Sequence, residues 1–344
     1  MRRKYTWFAL LMAFALVVAA CGDDDDTATE TTAGTATTAA TTDTEAPADP
    51  FRVAIIAPSA SNDLAFTQSM VDAVNVVAGD VAMEIAVTDG TFIVDDAAAA
   101  IRDYADQGYD LVIAHGSQYG GSLVEIAPDF PEVSFAWGTA ADTFGLPNVY
   151  AYEAASDEGG YVMGVLAAAL SQSGTIGVVG PVEVGDAKLY VDGFAAGVLA
   201  ENAAANVPIV YTGSFSDVAL ASETASAHAS AGADVLTGSA QMVVGAVGVA
   251  AENGILWFGT QANQAQLAPD IVVASQVYHW EVVISQIVSQ VQAGTLGGEV
   301  FVIDLANGGE VIEYNDGYSV PADAVAKADA AIAGIIDGSV STGG

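Results

Sequence analysis

The stretch Gln107–Thr139, QGYDLVIAHGSQYGGSLVEIAPDFPEVSFAWGT, decides the fold. It reads as the end of a helix, an apolar strand at Leu111 to Ala114 and a Gly-rich turn. A second helix and a second strand follow, closing on Phe135-Ala136-Trp137-Gly138-Thr139. Ala231–Thr260, AGADVLTGSAQMVVGAVGVAAENGILWFGT, repeats this grammar: Gly232 lies 124 residues after Gly108, Asp234 124 after Asp110, and Thr260 121 after Thr139. Further upstream, Phe51-Arg-Val-Ala-Ile-Ile-Ala-Pro58 is answered by Gly174-Thr-Ile-Gly-Val-Val-Gly-Pro181, whose proline lies 123 residues on. Matched landmarks at nearly one spacing predict two lobes of similar build in tandem. Apolar strands alternating with amphipathic helices make each lobe a doubly wound, parallel α/β sheet. Such sheets bind ligands beyond the carboxyl ends of their strands. Two of them facing one another form a cleft, a common setting for a small-molecule site.

Working outward, residues 1–20 read as an export signal. Arg2, Arg3 and Lys4 form a basic head, and the apolar run from Tyr5 to Ala20 is short for a membrane span, which needs about 20 residues. The run ends in Val18-Ala19-Ala20-Cys21, and Cys21 is the only cysteine in the chain. This resembles a lipobox, which implies cleavage before Cys21 and lipidation of its thiol. The alternative is an ordinary secretory signal with an incidental cysteine. Residues 21–50 hold Asp23 to Asp26 and a Thr/Ala tract, too polar and too simple to bury a core, and read as a disordered tether. The expected location is therefore the extracytoplasmic face of the cell membrane, held by an N-terminal lipid.

The chain has 43 acidic and 7 basic residues, a net charge of −36. Three of the basic residues and none of the acidic ones lie in the signal, so its removal takes the net charge to −39. Nucleic acid is excluded as a partner, because phosphate binding relies on Lys and Arg. Repulsion on this scale is best tolerated where salt screens it.

From Phe51 to Gly338 the expected division is a first lobe of 51–153 plus 277–296 and a second of 154–276 plus 297–338, joined by a hinge of several crossings. After the first strand, Asn62 or Asp63 can cap a helix, and Phe66 follows. Asn62 and Phe66 also stand at a strand's carboxyl end, where an amide and a ring could hold a flat ligand. His115 ends a strand at the cleft and is either a ligand contact or structural. A late strand is expected at Phe301 to Leu305, and an Ala-rich helix at Pro321 to Asp337 with Pro in its first turn.

The ordered motifs resemble one family. Asn62-Asp-Leu-Ala-Phe66-Thr-Gln-Ser69 is similar to the opening motif of the basic membrane protein family, the substrate-binding lipoproteins of purine-nucleoside-receptor type. Tyr161 to Gly180, Asp192-Gly-Phe-Ala-Ala-Gly197, Gly213-Ser-Phe-Ser-Asp217 and Gly232-Ala-Asp-Val follow in that family's order. The resemblance implies the type I periplasmic-binding-protein fold and delivery of a small ligand to the permease of an ABC importer. It implies pocket roles for Asn62 and Phe66, with Phe66 stacking on a base. Two departures stand out. Thr139 and Thr260 occupy the ends of the repeated units, where the family usually carries aspartate. Tyr278, beside His279 and Trp280, stands where a lysine is frequent.

An enzyme is not expected. Gly116-Ser-Gln-Tyr-Gly120 lacks the spacing of a nucleophile elbow, and His115, His228 and His279 have no metal-ligand spacing around them. Gly174-x-x-Gly-x-x-Gly180 falls within a strand and so is no dinucleotide fingerprint. No cofactor or metal is anticipated, and the protein is expected to be a monomer. The expected cleft lining is Asn62, Phe66, His115, Trp137 and Thr139 from the first lobe, and Ser239, Gln241 and Thr260 from the second. Tyr278 and Trp280 are expected to approach from the late crossing. Aromatics among neutral polar groups fit a flat, uncharged heterocycle such as a purine base. If Trp137 and Trp280 are core residues instead, a sugar or another nucleoside-like solute fits. A surface sensor or adhesin built on the same fold is the other non-enzymatic reading.

Overall fold

The computed structural model describes residues 49–343, so the readings of the signal, of Cys21 and of nearly all of the tether lie outside the described residues. Two six-stranded sheets organise the rest. In the first, β1 (Phe51–Ile56), β2 (Met83–Thr88), β3 (Leu111–Ala114), β4 (Ser134–Gly138) and β5 (Val149–Ala154) run parallel in the order β2-β1-β3-β4-β5. In the second, β6 (Ile176–Gly180), β7 (Ile209–Tyr211), β8 (Val235–Gly238), β9 (Leu256–Gln261) and β10 (Val272–Tyr278) repeat that order as β7-β6-β8-β9-β10. The duplication read from the sequence is thus a duplication of topology. Every side chain of Leu111–Ala114 and of Val235–Gly238 is buried, as befits parallel strands covered by helices on both faces.

Those covering helices are α1 (Phe66–Val77), α2 (Val94–Asp106) and α3 (Gly120–Ile126) in the first lobe. In the second they are α4 (Ser156–Leu170), α5 (Gly185–Glu201), α6 (Val218–Ser230) and α7 (Val243–Asn253). The chain crosses between the sheets three times. It passes from β5 into α4, and from β10 back to α8 (Glu281–Gln292), whose Val283, Ile284, Ile287 and Val288 join the core of the first lobe. It returns between β11 (Val300–Ile303) and β12 (Glu310–Tyr314), and ends in α9 (Ala322–Ile336).

The sheet pairings correct one expectation. The expected second lobe takes residues 297–338 as a block, yet β11 lies parallel to β5 on the edge of the first sheet, with Val300 opposite Ala151 and Ile303 opposite Ala154. Only β12 joins the second sheet, antiparallel to β10. The reversal occurs at Asn307-Gly308-Gly309. The Asn307 side chain accepts from the N–H groups of Asp304 and Gly309, and its own backbone N–H donates to Asp304, tying the loop between the two strands. A short edge strand without strict alternation, EVIEY, carries no separate signal in the sequence.

Among the described residues no helix is long and apolar enough to cross a membrane. All four basic side chains that follow the signal are described, and each meets a carboxylate: Arg52 with Glu84, Arg102 with Asp129, Lys188 with Asp192, and Lys327 with Glu201.

Candidate functional site

The strands of both sheets end facing one cleft, and a pocket is built from the residues just past them. The first lobe gives Pro58 after β1, Phe92 after β2, Gly116, Ser117 and Gln118 after β3, and Thr139 after β4, with Phe66 at the start of α1. The second lobe answers with Val184, Asp186 and Ala187 after β6, Phe215 after β7, Ala240 and Gln241 after β8, and Gln261 at the end of β9. Four strand ends from each lobe therefore converge on one space, as the switch-point rule for open α/β sheets requires. The lobes also touch at its margin, where the Gln264 amide donates to the Leu64 carbonyl at 3.3 Å.

Three lining residues are held in the left-handed region although none is glycine: Thr139 (φ 55°), Ala240 (φ 69°) and Gln261 (φ 71°). Each such residue costs of order 1–3 kcal/mol, and such strain concentrates where a ligand must be met.

The sequence-predicted residues divide sharply. Phe66, Thr139 and Gln241 line the pocket. Asn62 is exposed and off the lining. Its neighbour Asp63 does the capping instead, accepting the backbone N–H groups of Ala65, Thr67 and Gln68 and the hydroxyl of Ser59. His115 lies behind the pocket, fully buried, with its ring stacked on Phe66 at 3.8 Å. The Phe66 carbonyl can only accept, so His115 Nε2 donates to it at 3.0 Å, and Nδ1 accepts from the Tyr152 hydroxyl at 2.7 Å. Burial pushes the imidazole down to about 3, only partly offset by that carbonyl, so it stays neutral and acts as a backing plate for Phe66. Gly138 makes the arrangement possible, since a Cβ there would stand 2.5 Å from the Tyr152 hydroxyl oxygen and 3.0 Å from His115 Nδ1.

The other expected contacts are packing groups. Trp137 stacks on Phe144 at 4.8 Å, donates to the Gly116 carbonyl at 3.1 Å, and is not among the pocket-lining residues. Trp280 is wholly buried, donates to Ser69 Oγ, and meets Tyr152 and Tyr278 edge-on at 5.2 and 5.1 Å. Ser239 is buried off the pocket lining, and Thr260 donates to the Gly238 carbonyl at 3.1 Å. Tyr278 ends β10 beneath the pocket, sharing a 2.7 Å hydrogen bond with Ser156 and standing 3.4 Å from Asp186 Oδ2.

Sequence reasoning missed Phe92, Gln118, Asp186, Phe215 and Gln261, although each follows or ends a strand in the repeat already recognised. Asp186 also corrects the expectation of a wholly neutral lining. Its side chain is 8% exposed in the first turn of α5, and burial lifts its carboxyl to about 6. The neighbouring N–H groups, the Tyr278 hydroxyl and the Gln261 amide pull the other way, so it is ionised at neutral pH. No lysine or arginine lines the pocket.

The model of the PnrA-like ABC transporter substrate-binding proteins, the Bmp family, matches residues 51–327. The chain belongs to this family. A purine-binding protein of Brucella abortus is 30% identical over 185 residues, which is 54% of this chain and 52% of that relative's own length. The chain therefore matches about half of that relative. An ABC transporter nucleoside-binding protein of Lactococcus lactis is 27% identical over 68% of this chain and 71% of its own. Among solved structures, an ABC transporter solute-binding protein of Conexibacter woesei superposes with a TM-score of 0.71 at 26% identity, covering 84% of this chain and 97% of that one. The two-lobed α/β fold of this Bmp-family chain is that of the periplasmic solute-binding proteins.

Proposed function

We propose that the protein captures a purine-like heterocycle in the interlobe cleft and delivers it to the permease of an ABC importer, as a binder and not an enzyme. The observation that carries this is the pocket lining. Phe66, Phe92 and Phe215 come from three strand ends in two lobes, with Gln118, Gln241 and Gln261 between them. Phenyl rings offer stacking surfaces that accept any base, and carboxamides offer both donors and acceptors for its edge. Phosphorylated ligands are disfavoured, because the pocket has a carboxylate and no cation. The purine-binding and nucleoside-binding relatives support the same ligand class.

A thermal-shift panel of nucleobases, nucleosides, sugars and amino acids tests this reading. A ligand at a hundredfold excess over its Kd stabilises by about 2.7 kcal/mol. Free bases should raise the Tm at least as much as their ribosides do. A response that requires ribose, or one confined to sugars, refutes the reading.

The same proposal places the protein on the extracytoplasmic face of the membrane as a monomer, anchored through a lipid on Cys21. Cys21→Ser should then move the protein from the detergent phase to the aqueous phase, or leave its signal attached. Equal membrane retention of variant and wild type would defeat the anchoring.

A further inference from the structure

A buried carboxylate without a cation is an expensive feature, and Asp186 is one. Buried charges are ordinarily paired, yet each lysine and arginine beyond the signal is engaged with another acid elsewhere. The first turn of α5 favours negative charge, and the Tyr278 hydroxyl stands 3.4 Å from Asp186 Oδ2, but neither supplies a cation. Gln261 stands next to it. A carboxylate can only accept, so any hydrogen bond between the two comes from the Gln261 amide Nε2. Its Oε1 is then left over, and that atom is buried with no hydrogen-bond partner on a side chain that lines the pocket. The Gln261 backbone lies in the left-handed region (φ 71°). One wall of the pocket thus carries a carboxylate and an unpartnered amide oxygen.

Given that the cleft binds a heterocyclic base, we infer that Asp186 and Gln261 Oε1 make the site selective for amino-substituted bases. The exocyclic NH₂ would donate one hydrogen to the carboxylate and one to the amide oxygen. An oxo group in its place would set a third acceptor against two existing ones. Unpaired buried polar groups discriminate more strongly than lost apolar contact does, so the preference should be large.

The test uses the full-length protein in detergent and two base pairs that differ at one substituent: adenine against hypoxanthine, and 2-aminopurine against purine. In wild type the amino member of each pair should bind about tenfold or more tightly, since hydrogen bonds to charged groups are the strong ones. Asp186→Asn, which keeps the shape and removes the charge, should bring both ratios to within about threefold of unity. Gln261→Met should lower them by a smaller factor while leaving Asp186 in place, and it serves as the probe if the asparagine variant does not fold. Wild-type binding of bases without an amino preference, or an unchanged preference in the variants, overturns this inference and leaves the base-binding reading intact. No binding of any of the four bases overturns both.

Discussion

Gly197→Ala is expected to lower the stability of the protein by about 3 kcal/mol or more, one of the largest effects available to a single added methyl group. α4 and α5 pack backbone to backbone, and four glycines lie at the contact. A Cβ on Gly197 would stand 2.0 Å from the Tyr161 carbonyl oxygen, and one on Gly193 2.2 Å from that of Asp157. On α4, Gly164 and Gly160 meet the Phe194 and Tyr190 carbonyls at 2.1 and 2.6 Å. Both partners in each case are helix backbone, so the clash can be relieved only by separating the helices. That would open the core holding Val162, Leu166, Phe194 and Val198. Gly248→Ala on α7 is the control. Its Cβ meets nothing within 4 Å, and replacing a helix-interior glycine by alanine should stabilise by roughly 0.5–1 kcal/mol. Urea melts of both variants check the pair. A Gly197→Ala midpoint equal to wild type would show that the helices are less tightly apposed than described.

Topology was legible because it rests on period and burial. LVIA and VLTG are fully buried parallel strands, and the doubled spacing points to two lobes of similar build, which the shared strand order bears out. The site was less legible, for a reason visible in one pair. The sequence landmark Gly138-Thr139 matches Gly259-Thr260, 121 residues on. In the folded chain the left-handed, cleft-lining residue that corresponds to Thr139 is Gln261. Because strand side chains alternate with period two, that one-residue slip turned the expected Thr260 contact into a core hydroxyl bonded to Gly238. Aromatic residues failed differently. Trp137 and Trp280 stand near strand ends, but only tertiary packing decides where a large ring goes: Trp280 is wholly buried, and the half-buried Trp137 stacks on Phe144. Phe92, 41% exposed, and Phe215 gave the rings that the cleft presents.

Phe215→Ala is expected to weaken base binding by about 1–3 kcal/mol, or roughly 5- to 150-fold in Kd. Phe215 is the cleaner of the two opposed phenylalanines to remove. Phe66 carries a share of the fold, since it is 8% exposed, stacks on His115 and anchors that ring through its carbonyl. Truncating it would cost packing energy of about 3–5 kcal/mol and confuse binding with stability. Phe215 is half-buried in the loop between β7 and α6, where Ser214 Oγ, by accepting the N–H groups of Ser216 and Asp217, holds the turn without help from the ring. The unliganded Tm of Phe215→Ala should therefore stay near that of wild type while the ligand-induced shift shrinks. Phe215→Tyr should restore most of the affinity and Phe215→Leu little of it, because a leucine fills similar space but has no π-face to stack. Titration of the base giving the largest thermal shift, on all three variants, separates the cases. Equal affinity for the alanine and tyrosine variants would remove the second-lobe ring from the binding surface, and leave the ligand held by the first lobe and the amides.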